Sequence, residues 1–122
     1  MQDHTRLIVY RDAYALALSL ERLLAGAPRG FASKRTQLLD AAWSISANIA
    51  EGCGASTQSE MARFLDVAMK SAKELEHHLR VACDVGALSA SEHDRNLRDL
   101  ELVRRRLYRF IQMVRRTPDR PR

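Results

Sequence analysis

Glycine, proline, cysteine and aromatic residues are all scarce in this chain of 122 residues. It has 5 Gly, 3 Pro, 2 Cys and only 6% aromatic residues. Two cysteines, Cys53 and Cys83, are too few for a disulfide framework or a four-cysteine zinc site, so we expect a reducing, cytoplasmic setting. The longest run without a charged residue, Ala41–Ala50, has ten residues, whereas a membrane-spanning helix needs roughly 20. We therefore expect no membrane partner.

The sequence also lacks the motifs of the common enzyme classes. It has no G-x-S-x-G nucleophile motif, no phosphate-binding loop and no dinucleotide-binding glycine pattern, and Gly52-Cys53-Gly54 is too short to hold a phosphate. Glu74 and His77 have the i, i+3 spacing of carboxylate-bridged di-iron bundles, but the second such motif and the further glutamates are missing. We therefore expect a non-enzymatic protein with no cofactor and no metal site.

What the sequence does have is helical periodicity. Apolar residues recur every three or four positions in four segments, about residues 9–25, 34–51, 58–85 and 90–116, and no segment alternates as a strand would. The length fits one domain and is too short for two cores. Because short connections make consecutive helices antiparallel, the pattern predicts an all-α, antiparallel up-down four-helix bundle at residues 5–117. Residues 118–122 are expected to form a short basic tail.

Polar and glycine residues mark the expected helix ends. Ser33 is a candidate N-cap of the second helix, and Gly52 and Gly54 are expected to end it in left-handed conformations. Capping boxes are predicted at the starts of the third and fourth helices, namely Thr57 with Glu60 and Ser89 with Glu92.

The second helix has no polar face over Ala41–Ala50. Trp43 lies about 140° from the expected core seam, on a side where a small bundle should present charged residues. Either a half-covered Trp43 lies on an open Ala/Ser surface, or a second copy of the chain covers this face. We favour the second copy, and the expected interface comprises Leu39, Trp43, Ala47 and Ala50.

A line of polar residues runs beside the apolar seam on both the second and the third helix. This polar seam comprises Ser44, Asn48, Glu51, Ser71 and Glu74. Half-buried polar groups must find hydrogen-bond partners. The favoured interpretation is that Asn48, Ser71 and Glu74 satisfy one another or cap the backbone amides of the Gly52 loop, and so fix the helix register. The alternative is that they line a small pocket or an intersubunit groove.

The net charge of +5 is concentrated at the C-terminal end. Residues 104–122 hold eight Arg against Asp119, a net of +7, while residues 1–103 hold 12 basic and 14 acidic residues, a net of −2. Four arginines of the fourth helix fall within an arc of about 40° opposite its apolar side. We call these four residues, Arg98, Arg105, Arg109 and Arg116, the arginine stripe.

A basic stripe along a helix is typical of nucleic-acid backbone binding, because guanidinium groups match phosphate oxygens. Arg106 lies to one side of the stripe and belongs to the same candidate site. The alternatives are a solvated face or ion pairs with a neighbouring subunit, and Tyr108 and Phe110 are the only aromatic rings nearby. Two functions therefore stay open, contact with RNA or DNA and a protein-interaction scaffold.

Three segments resemble a known family of bacterial proteins. The run Ser44-Ile45-Ser46-Ala47-Asn48-Ile49-Ala50-Glu51-Gly52 is similar to the S-I-x-x-N-I-A-E-G signature of the 23S rRNA intervening sequence proteins. Residues 7–13 resemble that family's entry into its first helix. Residues 64–76 resemble its third-helix motif, with Lys70 where relatives usually have Gly. The arginine-rich end after Val103 is not part of the family pattern.

The resemblance implies a four-helix bundle that assembles in known relatives as a homopentamer and has no attributed catalytic residues. Some relatives are encoded inside insertions within large-subunit rRNA genes. A similar bundle, the accessory variability determinant of diversity-generating retroelements, binds nucleic acid and a reverse transcriptase. We therefore expect a homo-oligomer, a pentamer, whose partners are its own copies, RNA or DNA, or another protein.

Overall fold

The computed structural model describes residues 3–119 of the chain. In this part, four long helices follow one another without a β-strand, namely α1 (Ile8–Leu23), α2 (Ala32–Cys53), α3 (Gln58–Asp84) and α4 (Ala90–Arg116). The all-α prediction is confirmed, and each helix begins and ends within two residues of its expected bounds. Residues 120–122 of the expected basic tail lie outside the described residues.

The helices pack around a square, α1 on α2, α2 on α3, α3 on α4, and α4 back on α1. The side-chain contacts give the antiparallel register, since Ser44 meets Ser71 between α2 and α3, whereas Gly52, further along α2, lies against Met61, earlier in α3. The predicted four-helix bundle is therefore confirmed. In this arrangement the α1–α2 face and the α3–α4 face are opposite sides of the bundle.

Aliphatic side chains at helical spacing fill the core. One residue from each helix illustrates this, since Leu20, Ile45, Leu75 and Leu107 are all fully buried. Burying one such side chain contributes about 1.5–3 kcal/mol, so core packing contributes more to the stability of the bundle than helix propensity does. In residues 3–119, no helix combines the length and the hydropathy that crossing a bilayer requires.

The end of α2 differs from the expectation. Gly52 is helical and Gly54 has a φ of −87°, so the predicted left-handed end of α2 is wrong. Packing explains the glycine at position 52 instead. A Cβ there would lie 3.2 Å from the carbonyl oxygen of Met61 and 3.3 Å from the Cβ of Phe64. The absence of a side chain thus lets α2 approach α3 closely.

The start of α2 also differs. A short 3-10 turn at Arg29–Phe31 leads directly into α2, which begins at Ala32 without a side-chain cap. Ser33 therefore lies inside the helix, and its predicted capping role is wrong. The turn removes the need for a cap, because the chain already follows a helical path when α2 begins.

The α3–α4 turn is closed by well-defined caps. Gly86 has a φ of 83°, and its N–H donates to the carbonyl of Cys83 while the N–H of Ala87 donates to that of Ala82 at 2.8 Å. This is the double hydrogen bond of a helix that ends in a left-handed glycine. The predicted capping box of Ser89 and Glu92 is confirmed.

At the opposite end of α3 and α4, the residues that follow α4 contact the start of α3. Thr57 accepts a hydrogen bond from the N–H of Glu60 at 3.1 Å, but the reciprocal bond from the Thr57 N–H to the Glu60 side chain is absent, so this capping box is half formed. Asp119, beyond the end of α4, accepts a hydrogen bond from the N–H of Gln58 at 2.6 Å. A carboxylate in this position satisfies a free N–H and is favoured by the helix dipole.

Candidate functional site

The arginine stripe lies on the solvent side of α4, opposite the face that α4 contributes to the core. The buried residues of α4 follow a spacing of three and four, at Asn96, Leu100, Val103, Leu107, Phe110, Ile111 and Val114. All four arginines of the stripe are exposed. Within residues 3–119, none of the four forms an ion pair with a carboxylate, whereas three other arginines of α4 do.

Arg104 is held by carboxylates on both sides of the α3–α4 contact. Its guanidinium lies 3.1 Å from Glu76 of α3 and 2.9 Å from Glu101 of α4. The hydrogen bond from Lys73 and the charge and hydrogen bond of Arg104 lower the pKa of Glu76, with Lys73 making the largest contribution. These groups form a charged cluster that fixes the register of α3 and α4.

Arg106 and Arg115 are also engaged within the bundle. Arg106 is half-buried and forms an ion pair with Asp12 of α1, and Arg115 forms one with Asp66 of α3. Arg106 therefore departs from the expectation that it belongs with the stripe, because its charge is already partnered. Carboxylates of neighbouring helices therefore neutralise these three arginines at the edges of α4, whereas the arginine stripe on its outer face faces solvent.

Among the grooves along the α3–α4 face, two differ clearly in charge. The larger, of about 830 Å³, includes Cys83, His77, His93 and Leu97 in its lining. The charged residues around it are three cations and three carboxylates, namely Lys70, Lys73, Arg80, Glu74, Glu76 and Asp84. Because these charges balance, the larger groove offers little attraction to a polyanion.

The smaller groove lies next to the arginine stripe, and we call it the tyrosine groove. It has a volume of about 420 Å³ and is lined by Met69 of α3 and by Glu101, Arg104, Arg105, Tyr108, Arg109 and Gln112 of α4. Three guanidinium groups face one carboxylate, so its charge is positive. Tyr108 is 56% exposed, and its hydroxyl accepts a hydrogen bond from Nε2 of Gln112 at 3.0 Å.

Sequence reasoning noted the ring of Tyr108 but not the groove. The other nearby ring, Phe110, is buried in the core. Met69 becomes part of the groove only through the register of α3 against α4, which periodicity within one helix does not give. The sequence feature that indicates a groove is the position of Tyr108, which falls between the core side and the arginine stripe on the helical wheel.

The polar seam is formed in part. Ser44 and Ser71 share a hydrogen bond of 2.8 Å between their hydroxyl groups. Nδ2 of Asn48 donates to the carbonyl of Ser44 at 2.8 Å and to its hydroxyl at 3.0 Å. These three residues therefore satisfy one another across the α2–α3 contact, as the favoured interpretation holds.

The two glutamates expected in the seam do not join it. Glu51 is exposed at the end of α2. Glu74 is exposed and lies 3.6 Å from Nε2 of His78, so its pairing with Asn48 and Ser71 is wrong. Lys70, which occupies the position where relatives usually have Gly, is exposed and needs no close helix packing.

The face of α2 that was expected to meet a second copy is more covered within the chain than its sequence implies. Leu39 is 6% exposed and belongs to the core cluster, so its expected place on the outer side is wrong. Ala47 is exposed, and Ala50 is half-buried. The broad burial of α2, which packs against both α1 and α3, accounts for the absence of charge over Ala41–Ala50.

Trp43 is half-buried because α1 packs over part of its ring. Its Nε1 donates a hydrogen bond to Oε1 of Glu21 at 3.1 Å, and its ring meets that of Tyr14 edge-to-face with 5.2 Å between centroids. The ring centroids of Tyr14 and Tyr10 in turn lie 6.0 Å apart. A row of aromatic rings therefore runs along the α1–α2 face, on the opposite side of the bundle from the tyrosine groove.

Both cysteines are free thiols. Burial raises the pKa of Cys53, with a smaller contribution from the negative charge of Asp3. Within residues 3–119, no three His, Cys, Asp or Glu side chains are grouped as a metal site would require. The His77 of the di-iron spacing lies beside the ring of His78, and it is His78 that meets Glu74.

The fold and the polar α2–α3 seam define a small antiparallel four-helix bundle. The model of the 23S rRNA-intervening sequence protein family matches residues 5–109. The chain therefore belongs to this family, as its resemblance in the second and third helices predicted. The match runs past Val103 to Arg109, so the expectation that the family pattern stops at Val103 is wrong. Of the arginine stripe, only Arg116 lies beyond the match.

A solved structure has a similar fold. It is the crystal structure of a protein of unknown function from the S23 ribosomal protein family of Bacteroides thetaiotaomicron VPI-5482. The sequence identity is 20%, the TM-score is 0.80, and the match covers 86% of this chain and 96% of that one. Among curated proteins, no similar sequence was found.

Proposed function

We propose that the chain is a non-enzymatic binding protein that contacts the phosphate backbone of RNA through the arginine stripe of α4. One observation carries this proposal. Three arginines at the edges of α4 are paired with Asp12, Asp66 and Glu76, whereas the four of the stripe have no such partner within residues 3–119. Guanidinium groups with no internal partner are available to phosphate oxygens.

The family description supports RNA as the first polyanion to test, because it refers to an intervening sequence of 23S rRNA. Contacts of this kind depend on charge rather than base sequence, and they weaken steeply with salt. A cytoplasmic location agrees with two free thiols. We include assembly into a homo-oligomer, a homopentamer by resemblance, in the same proposal.

Assembly through the α1–α2 face is compatible with RNA binding, because that face lies opposite the α3–α4 face. Three residues of the expected interface remain accessible in a single chain, namely the exposed Ala47 and the half-buried Trp43 and Ala50. Several copies side by side would present several stripes to one polyanion, which increases the overall affinity without any new contact.

The proposal is tested by measuring RNA binding at two salt concentrations, using fluorescence anisotropy of a labelled hairpin. The wild-type protein should bind at low salt and lose affinity as salt rises. The double variant Arg105→Ala/Arg109→Ala should bind more weakly. For each phosphate that the variant no longer neutralises, the slope of log affinity against log salt should fall by about 0.9 on a DNA-like duplex.

A second double variant separates local contact from net charge. Arg22→Ala/Arg29→Ala removes the same two charges from exposed positions near the end of α1, and it should bind like the wild type. Absence of binding at low salt would overturn the proposal, and so would equal decreases in affinity in the two double variants.

A protein-interaction scaffold is the second candidate, and the aromatic row of the α1–α2 face favours it. Tyr14 is exposed there, and aromatic residues are enriched at protein interfaces. If a protein partner is recovered after nuclease treatment and binds the Tyr14→Ala variant as tightly as the wild type, that partner does not bind through this face.

A further inference from the structure

The tyrosine groove combines a positive charge with an exposed aromatic ring, and backbone binding alone does not require the ring. Arg105 and Arg109 are exposed and lie one helical turn apart, a rise of about 6 Å. Tyr108 lies beside them on the side towards α3 and is 56% exposed. The ring is therefore within reach of any ligand that the two arginines hold.

A hydrogen bond also restrains the ring. The Tyr108 hydroxyl accepts a hydrogen bond from Gln112, which restrains the side chain from the turn that follows. Met69 of α3 lines the opposite part of the groove, and it provides a polarizable thioether next to any flat ligand. Arg104 is tied to Glu76 and Glu101, so the single carboxylate of the groove is neutralised locally.

The size and chemistry of the groove match one flat aromatic group with an anionic group on each side. At about 420 Å³, it lies at the lower end of the range for small-molecule sites. A base-paired duplex presents no free base face to such a ring, whereas an unpaired nucleotide does. Stacking of bases on exposed aromatic rings beside cationic groups is how single strands are commonly bound.

We infer that the tyrosine groove binds a single-stranded segment of nucleic acid, with one unpaired base stacked on Tyr108 and the flanking phosphates held by Arg105 and Arg109. This inference rests on the proposed function and specifies its ligand. It requires the base to enter on the α3 side of the stripe, where Met69 and Gln112 lie. The sugar is not part of the recognition, so RNA and DNA strands are both expected to bind.

The test uses a labelled oligouridine of about ten nucleotides that carries one 2-aminopurine, as a single strand and annealed to its complement. With the wild-type protein, 2-aminopurine fluorescence should be quenched in the single strand and unchanged in the duplex, because only the unpaired base can stack on Tyr108. The Tyr108→Ala variant should bind the single strand about 10-fold more weakly and abolish the quenching. Its affinity for the duplex should not change.

Two substitutions at the same position identify the ring as the cause. Tyr108→Phe keeps the ring and loses only the hydrogen bond from Gln112, so it should still bind and quench the single strand. Tyr108→Leu keeps an apolar side chain without the ring and should behave like Tyr108→Ala. Because Tyr108 is exposed, all three variants should melt at the wild-type temperature, which circular dichroism checks. A deoxyribose version of the strand should be quenched equally.

The outcomes separate this inference from the proposed function. If Tyr108→Leu binds and quenches the single strand like the wild type while Arg105→Ala/Arg109→Ala no longer binds, the inference is overturned and backbone binding stands. If the wild-type protein binds neither strand form at low salt, both are overturned. Quenching that is stronger in the single strand than in the duplex, and that is lost when the ring is removed, supports both the inference and the proposed function.

Discussion

At the scale of single residues, Gly52 illustrates a constraint that comes from the neighbouring helix rather than from the backbone. Its conformation is helical, which any residue can adopt, and alanine is normally about 1 kcal/mol more favourable than glycine inside a helix. The close approach of Met61 and Phe64 opposes this preference, because the atoms that a new methyl group would meet belong to the α3 backbone or lie next to it.

Replacing Gly52 with Ala should therefore destabilise the protein. Inserting a methylene-sized group into a tight contact costs about 1–3 kcal/mol, which outweighs the gain in helix propensity, so we expect a net loss of about 1 kcal/mol. Urea unfolding at a fixed protein concentration measures it. Gly30→Ala is the matched control, since nothing lies within 4 Å of its added Cβ and its stability should be equal or higher. A Gly52→Ala variant more stable than the wild type would contradict the tight contact.

Residue-scale features were the least predictable from the sequence. The hydroxyl and amide groups of Ser44, Asn48 and Ser71 were recognised because their spacing placed them beside the apolar seam. Asn96 of α4 was not recognised, although it is 1% exposed and donates to the carbonyl of Glu92 at 2.7 Å. An asparagine that bonds to its own helix backbone can occupy a core position, and no composition rule distinguishes it from an exposed one.

At the scale of helices, α4 divides its arginines between two uses. Three at its edges are paired with acids of α1 and α3, and the four of the arginine stripe face solvent. Edge pairs of this kind fix the register of α4 on its neighbours, although each contributes little to stability when it is partly exposed. The same helix therefore holds the bundle together and presents the charge.

The pairing of Glu76 predicts a pH dependence. Its pKa is lowered in the folded protein, chiefly by the hydrogen bond from Lys73 and then by Arg104. The stabilisation is therefore complete above the ordinary glutamate pKa of about 4.3 and is lost as the pH falls through the lower folded value. Glu76→Gln should be less stable than the wild type at pH 7, by less than about 1 kcal/mol. The difference should vanish once the pH is below the folded pKa.

Denaturant unfolding at a series of pH values provides this measurement. Glu51→Gln is the control, because Glu51 is exposed and has no ion pair within residues 3–119, so its stability difference should be small at every pH. A Glu76→Gln difference that stays constant down to acid pH would contradict the assigned pairing.

Helix type and position followed well from the sequence, because the 3–4 spacing of apolar residues is long and uninterrupted in each segment. The faces of α2 followed less well. Leu39 and Ser46 are buried because α2 packs on both α1 and α3 over a wide arc. A helical wheel gives the angle of a residue but not the width of the covered arc, which depends on where the neighbours lie.

At the scale of the whole molecule, the two opposite faces of the bundle differ in character. The α1–α2 face has a row of aromatic rings that includes Tyr14 and Trp43, and the α3–α4 face has the arginine stripe and the tyrosine groove. The sequence predicted the residues of the stripe but not the groove, because a groove depends on the register between helices. The sequence also left the function open, because the arginines without an ion-pair partner can be identified only once the positions of the neighbouring helices are known.

The expected homo-oligomer leads to a prediction on Ala47. This residue is exposed on α2, so Ala47→Glu adds a charge to the expected interface without disturbing the core. We expect the wild type to sediment as an oligomer and Ala47→Glu to sediment as a smaller species with an unchanged helical spectrum, because a buried charge without a partner is strongly unfavourable. Analytical ultracentrifugation measures both.

Ala47 is a better position for this test than Trp43, which is also bonded to Glu21 and packed on Tyr14 within the chain. Ala90→Glu is the control, since Ala90 is exposed at the start of α4, where a negative charge is favoured. A wild type that sediments as a monomer, or an Ala47→Glu variant of unchanged size, would contradict the expected interface.

The bond between Asp119 and the first residue of α3 bears on how copies of this protein could cooperate. With that bond at one end and the Gly86 turn at the other, α3 and α4 form a hairpin that is fastened at both ends. Both walls of the tyrosine groove belong to this hairpin, and neither belongs to the α1–α2 hairpin. Copies joined through α1 and α2 would therefore gain strength by avidity along one strand, each with an unaltered groove, rather than by allosteric change from copy to copy.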